Sequence, residues 1–427
     1  MSDQAYSNEK NLQPMGDATV VEEGHKRARP VPRISIQVFC EHEGFMEVLQ
    51  STCQDRRMQK AHLSMQMGGI TAALEAYREG PTPNLIILES AAERDVLLTQ
   101  LDRLADVCDA GTKVIIVGHI NDVVTYRSLL ERGVSEYMVW PVDTLQIISA
   151  ISDLYADPEA EPLGQIVSFV GAKGGVGSSI LSHNVAWDLS EVSQTDVVIS
   201  DFDLPFGTVG LDFNQDPTQG ITEALFQSDR LDEVVLDRLL SKCSERLSLF
   251  ASPGGLEREY DVEQEPCDIV LEVLRKNIPY SILDLPHVWT SWSKYILLQS
   301  DEIVITATPD LANLRNTKNM LDFLNANRNC DVPPRLILNM VGMPKKPEIS
   351  VADFSQIVGV KPLMVIDYDA ELFGTAANNG QMIGEVSRKS KIAQQLYELA
   401  HVLAGLKIQR EEEESFLGPL LNRFGVK

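Results

Sequence analysis

Between Gln165 and Ser190 the chain reads QIVSFVGAKGGVGSSILSHNVAWDLS: an apolar strand-like run, a turn rich in glycine, then a helical segment. Few local patterns commit a chain so firmly. A strand that passes through glycines straight into a helix aims successive backbone N–H groups and the positive end of the helix at one point. Phosphate is the group such a cradle fits, and the order strand, turn, helix separates it from a chance run of glycines. Gly174, Gly175 and Gly177 let the backbone curl, with Val176 between them, and the helix begins near Ser178. Ser179 falls where a hydroxyl would ligate Mg²⁺. The position that normally carries a phosphate-gripping lysine holds Ser178 instead.

Short β-branched runs and amphipathic segments alternate through the rest of the chain. After the loop, DVVISDFD, YSILDLP, EIVITATP, PRLILNMV and KPLMVIDY read as strands, with helices between them and a closing helix near Ile392 to Leu406. Before it, RISIQVFC, MQKAHLSM, NLIILES, KVIIVGH and SEYMVWPVD form a similar series, with helices across ITAALEAYREG and QIISAISDLY. Alternation of this kind predicts parallel sheets covered by helices on both faces. The expected fold class is therefore α/β, with two doubly wound domains at 33–155 and 165–408. The 427 residues, 44% apolar, are enough for two or three cores. Residues 1–32 are polar and predicted to be a disordered arm. ADPEAEPLGQ, with two prolines among acidic residues, marks a linker over 156–164, and 409–427 holds the run EEEE and an amphipathic tail.

Charge and cysteine usage narrow the function. A net charge of −25 opposes contact with phosphate backbones, so nucleic acid is an unexpected partner. Cys40, Cys53, Cys108, Cys243, Cys267 and Cys330 lie far apart with no CxxC pair, which fits neither a disulfide framework nor a zinc site and predicts a reducing compartment. The start MSDQAYSNEK lacks a secretion signal, and no run of eighteen apolar residues occurs, so a cytoplasmic location is expected.

AKGGVGSS resembles the deviant phosphate loop of the MinD/ParA family of ATPases, and the likeness extends over most of 165–406. SDFDLPFGTVGLD resembles that family's first switch, ILDLP its second, TATPDLANLRNTKN the strand and helix that follow, LNMV its base-binding strand end, and IDYDAELFGTAANNGQMI its closing loop. The resemblance implies ATP and Mg²⁺ as cofactors and an ATP-sandwich homodimer. In it, Lys173 would cross to the phosphates bound by the partner and replace the cation that Ser178 lacks. It further implies that Asp203 positions the attacking water and that Asn339 and Asp367 contact the base. Asp201 and Asp284 sit at strand ends, where with Ser179 they would hold Mg²⁺ through water. Losing a positive group beside transferring phosphate costs orders of magnitude in rate, so hydrolysis is predicted to be slow.

Residues 33–155 resemble a receiver domain of flavodoxin-like fold. Receivers end the third strand in a phosphate-accepting aspartate, yet NLIILES places Glu89 there. Trp140-Pro141 replaces the usual Lys-Pro, and the acidic pair after the first strand is reduced to Glu41 after Cys40. A pseudo-receiver that binds a partner or its own copy is expected. The two domains together are similar to the CpaE/TadZ group, whose members help localise tight-adherence (Flp-type) pilus machinery. That similarity implies a polar localisation and scaffold ATPase, with pilus assembly and secretion ATPase machinery or polarity factors as partners. A nucleotide-independent adaptor and a ParA-like partitioning ATPase are the alternatives. In the tail, Phe416, Leu417, Leu420, Leu421 and Phe424 recur at helical spacing, as they would for peripheral membrane contact, although EEEE beside them repels anionic lipid.

Overall fold

The computed structural model describes residues 28–406 except 79, 157–161, 254–255, 257–259 and 329. Most of the expected arm, much of the linker, and the acidic run and tail lie outside the described residues. The chain divides into two compact units, Met1–Ala156 and Asp157–Lys427.

The first unit is built on five parallel strands: β1 (Ser35–Cys40), β2 (His62–Met67), β3 (Leu85–Ser90), β4 (Lys113–Gly118) and β5 (Glu136–Val139). They lie in the order β2-β1-β3-β4-β5. Period-two alternation sends Ile36, Val38, Leu85 and Ile87 to one face, where they pack on Phe45, Leu49, Ile147 and Ile151. Phe39, Ile86, Leu88 and Ile116 face the other way, onto Ile70, Leu97, Leu101 and Leu129. Every residue of β3 is buried because helices cover both faces of this central strand. Strand order reverses between β1 and β3, so their carboxyl ends flank a crevice. One expectation is corrected here: the arm does not run to residue 32. Val31 is fully buried in the first layer and donates its N–H to the Arg57 carbonyl at 2.8 Å.

The second unit carries β6 (Gln165–Gly171), β7 (Val197–Asp201), β8 (Ser241–Lys242), β9 (Leu247–Phe250), β10 (Tyr280–Leu285), β11 (Glu302–Ala307), β12 (Arg335–Val341) and β13 (Met364–Asp367). The sheet order is β13-β12-β11-β6-β10-β7-β9-β8, parallel except at the β8–β9 edge. That edge hairpin was not anticipated, since two and four residues are too few to show a period. Ile166, Val170, Leu283 and Ile305 pack under Val270, Ile296 and Leu321 on one face. Val167, Phe169, Ile199 and Ile282 pack under Leu181, Val185, Leu396 and Leu399 on the other. Each such apolar side chain contributes about 1.5–3 kcal/mol of transfer free energy. The closing helix, Lys391–Ala404, starts at the Ser390 cap and stops at Gly405, whose φ of 68° is left-handed. Gly164, expected in the linker, is part of this unit: its N–H bonds the Arg275 carbonyl at 2.8 Å. Among the described residues no helix is long and apolar enough to cross a membrane, and all six cysteines are free thiols.

Candidate functional site

Four adjacent parallel strands, β11, β6, β10 and β7, bring their carboxyl ends together, and the glycine loop leaves the central one. Its carbonyls are pinned from both sides. His287 Nδ1 donates to the Gly171 carbonyl at 2.8 Å, and the Asn316 amide donates to the Ala172 carbonyl at 2.8 Å. A carbonyl only accepts, so Nδ1 of His287 carries the ring proton. Lys173, Gly174 and Gly175 are exposed, whereas Val176 is buried. Gly177 caps the helix Ser178–Ser193 at φ 85°, and a Cβ there would lie 2.6 Å from Asn339 Nδ2, so backbone conformation and close approach both require glycine. Ser178 is buried with its Oγ unpartnered, and Ser179 is half-buried one residue further into the first turn. Beside the loop, burial would raise the Asp310 pKa, but hydrogen bonds from Asn313 and Thr308, with a smaller contribution from the Lys173 charge, hold the carboxyl below its usual range.

The carboxylates expected around the loop do converge, with unequal freedom. Asp201 and Asp284 are register partners on β7 and β10. Asp201 is fully buried and both its oxygens are engaged, accepting the N–H groups of Asp203 at 3.0 Å and Val209 at 3.2 Å. Burial, reinforced by the Asp284 charge, raises its pKa well above the carboxylate range. Asp201 thus anchors the segment that follows β7, while Asp284, also buried, keeps Oδ1 without a partner. Asp203 is half-buried, accepts the Phe206 N–H at 3.3 Å, and has its pKa raised mainly by burial.

His183 was missed by sequence reasoning. It is fully buried, its Nδ1 lies 2.7 Å from Asp212 Oδ2, and its Nε2 lies 3.6 Å from Asp284 Oδ2. Burial alone would lower the imidazole pKa, but the hydrogen bond to Asp212 and the nearby charges of Asp284 and Asp212 outweigh it and push it up to about 10. The two carboxylates thus favour a protonated imidazole within the subunit. The available signal was spacing: Ser179 and His183 are four apart on one helix and share a face.

On the far side of the loop a cavity of about 290 Å³ is lined by Ile180, Asn339, Met340, Tyr368, Phe373 and, at its rim, Asp367. Asn339 is buried. Its amide nitrogen donates to the Val176 carbonyl at 2.8 Å, which leaves Oδ1 unpartnered. Asp367 forms an exposed ion pair with Lys391 at 2.7 Å, so its carboxylate is shared with the closing helix. A larger, polar cleft of about 430 Å³ at Glu191, Arg246 and Arg388 lies at the other end of the helix Ser178–Ser193, remote from the loop.

In the first unit Glu89 is fully buried at the end of β3. Its Oε2 accepts the N–H groups of Glu41 at 2.6 Å and His42 at 2.9 Å, and its Oε1 meets His42 Nδ1 at 2.9 Å. His119, following β4, brings Nε2 to 3.6 Å from the same oxygen. Cys40 is buried beside them, its thiol pushed up to about 12 by burial and then by the Glu89 charge. Trp140 packs edge-on to Phe45, with ring centroids 5.9 Å apart. Neither histidine was singled out from the sequence.

No family model matches the chain. Among curated proteins, the septum site-determining protein MinD of Helicobacter pylori is 23% identical over 232 residues, 51% of this chain and 83% of that protein. Among solved structures, a ParA-family ATPase from Chlorobium tepidum is 25% identical with a TM-score of 0.51, covering 55% of this chain and 98% of its own. A pilus assembly protein CpaE from Caulobacter crescentus is 43% identical over 30% of this chain and 98% of its own, with a TM-score of 0.30. The larger unit is an α/β P-loop NTPase domain of MinD/ParA type.

Proposed function

We propose that this protein binds ATP·Mg²⁺, dimerises through it, and serves as a slow ATPase that localises or scaffolds tight-adherence pilus assembly. The observation that carries the nucleotide half is a set of buried polar atoms left without partners around one loop: Ser178 Oγ, Asp284 Oδ1 and Asn339 Oδ1. Buried polar atoms are almost always paired, so a group of orphans on three elements marks the outline of a polar ligand. Triphosphate against the loop would meet the Ser178 hydroxyl and the helix N-terminus, and a base in the 290 Å³ cavity would meet Asn339 Oδ1. Ser179 and Asp284 have the oxygen donors that suit Mg²⁺, with Asp201 behind them fixing the switch. When bound, the ion neutralises phosphate charge. Asp203 would orient the attacking water, as the resemblance implies.

Two cations then share the task of the absent lysine. His183 balances the carboxylates inside each subunit, and exposed Lys173 is available to a second copy. Dimerisation is supported by exposed apolar side chains on the segments that leave the same sheet end as the loop: Phe206, Leu211, Trp289 and Leu311 are 68%, 72%, 49% and 73% exposed. They follow β7, β10 and β11, the strands that flank the loop.

The pilus-assembly half is supported by the sequence resemblance and by the first unit, whose strand order matches the flavodoxin-like order that receivers share. With Glu89 where an aspartyl phosphate would form, that unit is a pseudo-receiver that presents a binding surface. A DNA-partitioning role is opposed by the net charge of −25.

The test is light scattering after size exclusion, with and without ATP, alongside calorimetric titration of ATP. Wild type is expected to bind nucleotide and double its mass, and Lys173→Ala to bind but remain monomeric. Absence of binding would leave only a nucleotide-independent adaptor.

A further inference from the structure

Three side chains meet at the crevice where the ends of β1, β3 and β4 lie side by side in the first unit. We infer that His42, Glu89 and His119 form a site for a divalent transition metal of the Zn²⁺ class, one ion per chain. The ligand atoms come from three strand ends that the topology makes neighbours, after β1, in β3 and after β4, and all lie within 4.8 Å of one another.

Geometry supports this reading. Two ligands held about 2.0–2.1 Å from one tetrahedral ion stand roughly 3.3 Å apart. Glu89 Oε1 is 2.9 Å from His42 Nδ1 and 3.6 Å from His119 Nε2, on either side of that separation. Glu89 is already oriented, because Oε2 is held by two backbone N–H groups and Oε1 is turned towards the imidazoles. Such fixing of a ligand by its own partners is what metal sites use to set direction. The histidine side chains are 55% and 32% exposed, so they can close on an ion without repacking the core. In the metal-free cluster His42 Nδ1–H donates a hydrogen bond to Glu89 Oε1. With an ion in that place Nδ1 offers its lone pair instead, and the single proton of the neutral ring is carried on Nε2.

Donor chemistry selects the metal. Two imidazole nitrogens and one carboxylate suit Zn²⁺ or Co²⁺, whereas Mg²⁺ prefers all-oxygen, octahedral surroundings. Three protein ligands leave a fourth position open on the solvent side, for water or for a donor from a partner protein. All three ligands belong to the first unit.

The experiment uses full-length, untagged protein stripped with EDTA and dialysed against Zn²⁺ in excess Mg²⁺, with bound metal measured by plasma emission. One equivalent is expected. His42→Ala or His119→Ala should weaken binding by about tenfold or more, the double variant should bind none, and His62→Ala, exposed and outside the cluster, should match wild type. Co²⁺ on wild-type protein should give the intense visible absorption of a four-coordinate ion, a readout that needs no variant. Absence of stoichiometric binding, a six-coordinate Co²⁺ spectrum, or undiminished binding in the folded double variant would each overturn the assignment.

Discussion

Replacing His183 with alanine removes the only cation within hydrogen-bonding distance of Asp212 among the described contacts, and leaves Asp284 unbalanced behind it. Breaking a buried pair by removing one partner costs about 3–5 kcal/mol. A second route gives a similar size: raising an imidazole from its ordinary 6.5 to about 10 corresponds to roughly 5 kcal/mol of extra proton binding by the folded state. The sign follows from the direction of the shift. A raised pKa contributes stability that is complete below pH 6.5 and is lost as pH climbs through about 10. At about 2–4 °C per kcal/mol for a domain of this size, His183→Ala should lower the melting temperature of the second unit by roughly 6–20 °C at pH 7. The gap should shrink at pH 10. Trp140→Phe makes a clean background, since the remaining tryptophans, Trp187, Trp289 and Trp292, all report on the second unit. Melting is followed by their fluorescence in EDTA without nucleotide. His183→Gln, which keeps a donor without the charge, should fall between wild type and alanine. A loss under about 1 kcal/mol at pH 7, or a gap as wide at pH 10, would refute a charged imidazole at this position.

Three further outcomes are expected. Asn339→Ala removes the orphaned acceptor facing the cavity and the bond to the Val176 carbonyl, and should weaken ATP binding about tenfold, read by calorimetry, with an equal loss for ADP. Gly177→Ala forces a Cβ to 2.6 Å from Asn339 Nδ2 at a left-handed φ, and should cost about 1–3 kcal/mol in urea unfolding, accompanied by loss of nucleotide affinity. Asp188, buried in the helix Ser178–Ser193, has its pKa raised to about 8 by burial and by Glu191 despite Arg388. Its neutral form is the stable one, so its contribution is present below about pH 4 and lost as pH rises through about 8. Asp188→Asn should therefore be more stable than wild type by more than about 1 kcal/mol at pH 9 and indistinguishable from it near pH 4, measured by denaturant titration.

The strands and the loop were legible because their signals are local. Short apolar runs such as Ile166 to Val170 declare a strand covered on both faces, and Gly177 declares its backbone need within three residues of chain. The absence of lysine at Ser178 and of aspartate at residue 89 could be read in the same way, one position at a time. Short segments such as Leu247–Phe250 stayed invisible for the converse reason: four residues carry no period that a loop could not also show.

What replaced the missing groups was decided by tertiary structure alone. Val31 joins the core by packing into the first apolar layer, with its N–H bonded to the Arg57 carbonyl. His183 meets two carboxylates because β7 and β10 are neighbours and the segment after β7 returns Asp212 to the helix, and those carboxylates raise its pKa; on an isolated helix neither would lie beside it. His42, Glu89 and His119 are scattered along the sequence and meet because the strand order places the ends of β1, β3 and β4 side by side. Backbone preference is carried by each residue and its near neighbours, so the chain alone determines where strands, turns and helices form. Charge state and ligand geometry depend on distances of a few ångströms between remote residues, and those distances come into being only when the sheets assemble.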